Sequence, residues 1–295
     1  MAKITPIVFA LLIALAGDAF SDESKEPFYA QIGRAVIRLE HTTETTSEGN
    51  SKAVITNNPD GTGFFVWSGD RLFLISARHV VDTEHDLHAR VKVFNTTTQT
   101  SEILLLKLPR KNWIFHPDQG DATTNAVDVA VIRLTLPVWD KFAGSIKGFS
   151  YQPEEAEASQ LSFEDALPPE QVVTFGFPGE DGFKLLEQRP MARFGIISMH
   201  TGEKFIMVSK NYANERCDVL DIKAFPGNSG SPVISATGGT HLLGVLIASN
   251  NSDIAVMEPA SRIRETLEIT RKTPIKEYNY WSNYTDTTLP RVAGP

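Results

Sequence analysis

Cysteine is nearly absent: Cys217 stands alone among 295 residues. An intrachain disulfide is therefore impossible, and stability must come from a packed core even in an oxidising compartment. A surplus of positive charge is missing too. Twenty-eight Lys and Arg face 36 Asp and Glu, for a net charge of −8. That excludes the broad basic footprint of a nucleic-acid binder. Six of the acids, with no Lys or Arg, lie in residues 153–170, so the rest of the chain nets only −2. The stretch reads as a solvated acidic loop. No repeat of solenoid length occurs, and no long apolar run follows the N-terminus. Hydrophobic residues at 41% and charged residues at 22% are ordinary for a soluble globular chain.

The N-terminus departs from that pattern. Lys3 precedes an unbroken apolar run from Ile7 to Ala16, and small residues follow. This is the layout of a secretory signal peptide, with cleavage expected after Ala19 or Ser21, and the run is too short to span a bilayer. Residues 1–21 are expected to be removed, leaving a secreted or periplasmic protein. No cysteine lies near the cleavage site to carry a lipid anchor.

From Gln31 onward, short β-branched and aromatic runs alternate with turn residues. They fall at 32–39, 63–67, 71–76, 90–94 and 127–134, then at 172–177, 193–199, 204–209, 231–235, 241–249 and 253–257. Such spacing predicts an all-β sandwich or barrels rather than βαβ units. The break at 141–170 reads as a connector between two β halves. Residues 259–270 predict a helix, with Pro259 near its start and Ile263, Leu267 and Thr270 at helical spacing.

The segment Phe225 to Val233, FPGNSGSPV, brackets Asn228–Ser229 with Gly227 and Gly230. The glycines permit a tight turn that exposes the Ser229 hydroxyl and aims the N–H groups of Gly227 and Ser229 at one point, as an oxyanion hole requires. Alone, the pattern marks only a turn. A serine nucleophile also needs a base, and His79, in LISARHVVD, stands at the end of an apolar strand. That base needs a carboxylate to fix its tautomer. Asp128 interrupts the apolar run NAVDVAVIRL, where an unpartnered charge costs several kcal/mol or more.

In this order and with these surroundings, the chain resembles the trypsin-like peptidases. The likeness is to their cysteine-poor bacterial branch, which includes the HtrA and glutamyl-endopeptidase families. GTGFFV with LISARHVV, VDVAVIRL, and PGNSGSPV resemble that branch's histidine, aspartate and nucleophile segments over roughly residues 30–270. The resemblance implies a chymotrypsin-like all-β fold of two six-stranded antiparallel β-barrels with a C-terminal helix. The domain would run over 28–270: a first barrel at about 30–140, a connector at about 141–170, a second barrel at about 171–258, and a closing helix at 259–270. A tail, 271–295, would follow.

It also implies a serine endopeptidase acting through an acyl-enzyme on protein or peptide substrates. His79, Asp128 and Ser229 would be catalytic, Gly227 and Ser229 the oxyanion donors, and no metal or organic cofactor would be needed. Asn228 stands where animal enzymes place an aspartate that pairs with a freed N-terminus, which implies activity without that kind of zymogen cleavage. Lys223 aligns with the base of the specificity pocket, where a cation would favour acidic substrate side chains unless it points to solvent; Thr201 and Ser249 are further pocket candidates. The roughly 25 residues after the helix are too few for a PDZ-like domain.

His85 and His88 have H-x-x-H spacing, but a polar loop explains them without a metal. Cys217 lacks a flanking glycine turn and reads as an inert core thiol. The aromatic tail 278–286 is expected to dock on the barrels or remain disordered. The competing functional reading is a catalytically silent barrel that binds peptides.

Overall fold

Strand alternation organises the described chain into two lobes. The computed structural model describes residues 28–45, 54–95, 97–120, 126–135, 146–151, 168–179, 189–200, 205–207, 212–214, 217–237, 241–250, 253–274 and 278–283. The expected signal peptide and most of the connector lie outside these residues. A helix, α1 (Phe28–Ala35), leads into β1 (Val36–Thr45) and β2 (Val54–Ser68). Next come β3 (Arg71–Ser76), a short helix α2 (Arg78–Val81), β4 (Leu87–Asn95) and β5 (Thr100–Leu108). β6 (Ile114–Phe115), β7 (Ala130–Leu134) and β8 (Phe149–Ser150) complete this run. The sheet order is β5-β4-β1-β2-β3-β7-β6, with β8 beside β2. Leu87, Ala89, Val91 and Val93 alternate inward along β4, as one covered face demands. β3 lies between β2 and β7, and its Leu72, Phe73, Leu74 and Ile75 are all fully buried.

Two expectations are corrected here. Residues 32–35 belong to α1 rather than to a strand, and Ile32 and Ala35 turn one buried helix face toward the sheet. The first lobe is an open sheet among the described residues, not a closed six-stranded barrel. Before the tail adds to it, its path runs from β5 to β6, which a 3-10 turn at Arg110–Asn112 joins in the chain. The turn follows Pro109, which has no N–H to carry a ladder onward. The sheet is thus a half-barrel with no hydrogen-bonded seam among the described residues.

The second lobe is closed. β9 (Glu170–Gly176) and β10 (Met191–His200) precede a small hairpin of β11 (Phe205–Met207) and β12 (Tyr212–Asn214). β13 (Asp218–Asp221), β14 (Pro232–Ser235), β15 (Leu242–Ser249) and β16 (Ile254–Pro259) follow. The barrel order is β10-β13-β16-β15-β14-β9. Val172, Ile197, Leu220, Val233, Leu246 and Met257 fill its interior. The expected helix is present as α3 (Ala260–Lys272), burying Ile263, Thr266, Leu267 and Thr270 along one face. The two threonines satisfy their own hydroxyls, Thr266 donating to the Arg262 carbonyl at 2.8 Å and Thr270 to the Thr266 carbonyl at 2.7 Å.

The tail docks on the first lobe. β17 (Trp281–Asn283) adds to the free edge of β5, Tyr280 and Trp281 are buried, and the Trp281 indole donates to the Thr135 carbonyl at 2.7 Å. An edge strand left open would invite pairing with another chain. Trp281→Ala is expected to cost about 3–5 kcal/mol, read as a lower urea midpoint at unchanged slope. An unchanged midpoint would show that the tail merely rests on the sheet.

Candidate active site

His79 sits in α2, a single turn directly after β3, and so enters the groove between the lobes from the first sheet. Asp128 reaches it from the extended segment ahead of β7. The Asp128 carboxylate takes the His79 ring at Nδ1 with one oxygen (2.6 Å) and the His79 backbone N–H with the other (2.8 Å). The Asp128 carbonyl accepts the Arg78 N–H at 3.2 Å. The carboxylate side chain is only 10% exposed while the imidazole is 50% exposed. The ring is thus anchored at Nδ1 and open at its other edge.

Ser229 belongs to the second lobe. Asn228 N–H donates to the Phe225 carbonyl at 2.9 Å, and Ser231 N–H donates to the Asn228 carbonyl at 3.0 Å. Gly227 (φ +88°) and Gly230 (φ +87°) occupy the third positions of these two successive turns, the pattern of type II turns that needs positive φ there. A methyl group at 230 would overlap the Thr62 carbonyl and the Ser76 hydroxyl, so only glycine fits. The Pro226 carbonyl is held by the Gly179 N–H at 2.5 Å. In a trans peptide the N–H points opposite to its carbonyl, so the Gly227 N–H faces away from Gly179. The N–H groups of Gly227 and Ser229 have no protein acceptor among the described residues.

The two lobes meet at Gly61. A methyl group there would lie 2.7 Å from Val80 and 3.0 Å from the Ser229 carbonyl, so the residue after His79 and the serine loop flank the same glycine. The Ser229 hydroxyl makes no hydrogen bond among the described residues. Of the residues singled out from sequence, His79 is bonded to Asp128, and Val80 and the Ser229 carbonyl both lie against Gly61. Thr201 lies outside the described residues. Lys223 is 60% exposed, with its amine 3.8 Å from Asp253. Ser249 ends β15, half-buried and paired with Ala255.

Two residues were missed. Thr62, fully buried, donates its N–H to the Ser229 carbonyl (2.9 Å) and its hydroxyl to the Gly227 carbonyl (2.8 Å). Its hydroxyl also accepts the Phe177 N–H at 3.1 Å. The signal was a threonine between two glycines in GTGFFV. Glu258, also fully buried, accepts the Asp128 N–H at 2.9 Å. Its signal was an acid in the apolar run IAVMEP, the same anomaly that singled out Asp128. Beside it, Cys217 is buried and forms no disulfide. Burial first, then the neighbouring Glu258 and Asp218 carboxyls, pushes its thiol well above the ordinary range. Asn228 is buried, and neither polar atom of its amide has a partner among the described residues. His85 stacks on His41 at 5.2 Å, and His88 lies 3.7 Å from Glu40.

Two β lobes, with an imidazole–carboxylate pair on one and a glycine-turned serine on the other, define a chymotrypsin-like fold. Residues 61–245 match the family model of the trypsin-like peptidase domain. The match spans more than half of the chain, and this protein belongs to that family. It is similar in structure to an HtrA-type protease, AlgW, solved with a decapeptide (TM-score 0.52, 16% identity, 82% of this chain and 65% of that one). This chain thus spans just under two thirds of that protein's length, and the likeness is one of fold. A second solved structure, the Rv3671c protease in an inactive form, aligns at TM-score 0.45 and 16% identity over 83% of this chain and 92% of its own. A comparison with curated protein sequences finds no match.

Thr62→Val should leave the Gly227 carbonyl and the Phe177 N–H unpaired inside the protein. The expected cost is about 1–3 kcal/mol, measured by chemical denaturation; a variant as stable as wild type would mean the hydroxyl holds neither group. Cys217 should resist iodoacetamide at pH 8 in the native protein and react once unfolded, because the thiolate is the nucleophile. Rapid native alkylation, read by intact mass, would contradict its burial.

Proposed function

We propose that this protein is a serine endopeptidase, with Ser229 as nucleophile, His79 as base and Asp128 as its orienting carboxylate. The observation that carries this reading is the double hold of Asp128 on His79, through the ring at 2.6 Å and the backbone at 2.8 Å. A carboxylate at Nδ1 favours the tautomer with its proton there, leaving Nε2 with a lone pair at the open edge of the ring. Nε2 takes the Ser229 proton as the hydroxyl attacks the scissile carbonyl, and then returns a proton to the leaving amine. Water releases the acyl group by the same route in reverse. The N–H groups of Gly227 and Ser229 receive the developing oxyanion. What supports that role is the pinning of the Pro226 and Gly227 carbonyls by Gly179 and Thr62. These ties brace the turn without an ion pair at Asn228, in keeping with activity that needs no newly freed N-terminus. Protein or peptide segments are the substrates, and the expected signal peptide implies a secreted or periplasmic site of action.

One observation favours the second reading, a silent peptide-binding barrel: the Ser229 hydroxyl is not hydrogen-bonded to His79. Catalytic contacts of this kind often close only with substrate bound. A fluorophosphonate probe separates the two. The peptidase reading expects an adduct on Ser229, none on Ser229→Ala, and a rate about 10⁴-fold lower for Asp128→Asn, as in other Ser-His-Asp triads. A folded wild-type protein that takes no label is the silent barrel.

A further inference from the structure

Asp128 has four polar groups, and three of them face its own lobe. Both carboxylate oxygens go to His79 and the carbonyl goes to Arg78. Those contacts fix the aspartate to the histidine but not to the serine, which rides on the other lobe. The fourth group, the Asp128 N–H, crosses the groove to Glu258 Oε1 at 2.9 Å. Among the described residues, no other hydrogen bond of Asp128 reaches the second barrel.

Glu258 is itself tied to the nucleophile loop by a short path. On β16 it pairs with Val245 of β15, and Met257 pairs with Leu246. Leu246 is stitched to the loop in both directions: Gly230 N–H donates to its carbonyl at 2.7 Å, and its own N–H donates to the Ser231 carbonyl at 2.9 Å. The circuit thus runs from the serine loop through two paired strands to Glu258, across to Asp128, and on to His79. Cys217 steadies it from behind. The residue after it opens β13 opposite Met257, and its buried thiol hydrogen-bonds to Glu258. Packing alone would not select a carboxyl here. Ile254 to Met257 are apolar, and an apolar side chain of similar volume would avoid the desolvation cost.

We propose that Glu258 is a positioning residue, which sets the His79–Asp128 pair against Ser229 by accepting the Asp128 N–H across the lobe boundary. The inference rests on the serine-peptidase reading above. An error of about 1 Å in such a setting costs on the order of 10²-fold in rate, so the bond should be read in turnover rather than in binding.

The test follows fluorophosphonate labelling of Ser229 against pH for the wild type and for Glu258→Met, Glu258→Gln and Glu258→Asp, with each variant's fold checked by circular dichroism. Met removes the acceptor at similar volume. Gln keeps a carbonyl oxygen at the same reach, and Asp keeps the charge but stops one methylene short. Glu258→Met should label about tenfold or more slowly at its plateau, through the inactivation step and with probe affinity within about twofold. Its acid limb should move to lower pH, because a displaced Asp128 stabilises the imidazolium less. Gln should stay within about threefold of wild type, and Asp should follow Met.

A folded Met variant with the wild-type rate and acid limb overturns the proposal. So does Asp matching wild type while Gln fails, since that order would assign the effect to charge. If Met does not fold, the Gln and Asp pair decides by the same ordering. A wild-type protein that does not label overturns the peptidase reading itself, and the role of Glu258 with it; labelled wild type with unaffected variants overturns only this inference.

Discussion

The Asp128 carboxylate is buried at the junction of two β lobes, and a charge there has to be answered by donors fixed in place around it. The His79 N–H and the imidazole provide them. Much else is arranged so that this meeting can happen. β3 must end where α2 begins, α2 must be a single turn, and the segment before β7 must run extended past it. A buried aspartate in an apolar run, left without partners, would be a destabilising defect. Here its environment converts the same residue into the anchor of a half-exposed imidazole.

The serine loop faces a different problem, which is backbone direction. Two successive turns, each with a glycine at positive φ, leave the N–H groups of Gly227 and Ser229 without acceptors among the described residues while their neighbouring carbonyls are engaged. Thr62 does much of that work from the opposite lobe. One side chain and one N–H hold the carbonyls of Gly227 and Ser229, so the first sheet helps to shape a loop that belongs to the second barrel.

The asymmetry between lobes fits this division of labour. The second lobe closes into a six-stranded barrel and gives the loop a stiff base. The first is a rolled sheet, interrupted at the Pro109 turn and finished at its free edge by the tail strand β17. With one cysteine in the chain, no disulfide can brace either lobe. The buried aromatic and aliphatic side chains of β2 and β3, together with Trp281, do so instead.

Local chemistry made much of the site legible in advance. Gly227 and Gly230 around Ser229 permitted a tight turn, Asp128 was an acid with no reason to sit in an apolar run, and His79 closed an apolar strand. Strand periodicity likewise announced an all-β chain ending in a helix. The same logic applied to Glu258 would have found it, but its partner could not be known, since nothing local says which buried groups 130 positions apart will face each other. Thr62, the open first sheet and the strand edge to which the tail adds were hidden for the same reason. Turn chemistry and burial preference act on neighbours in the chain and are written in single residues, whereas hydrogen bonds across two lobes depend on how whole sheets come together in space.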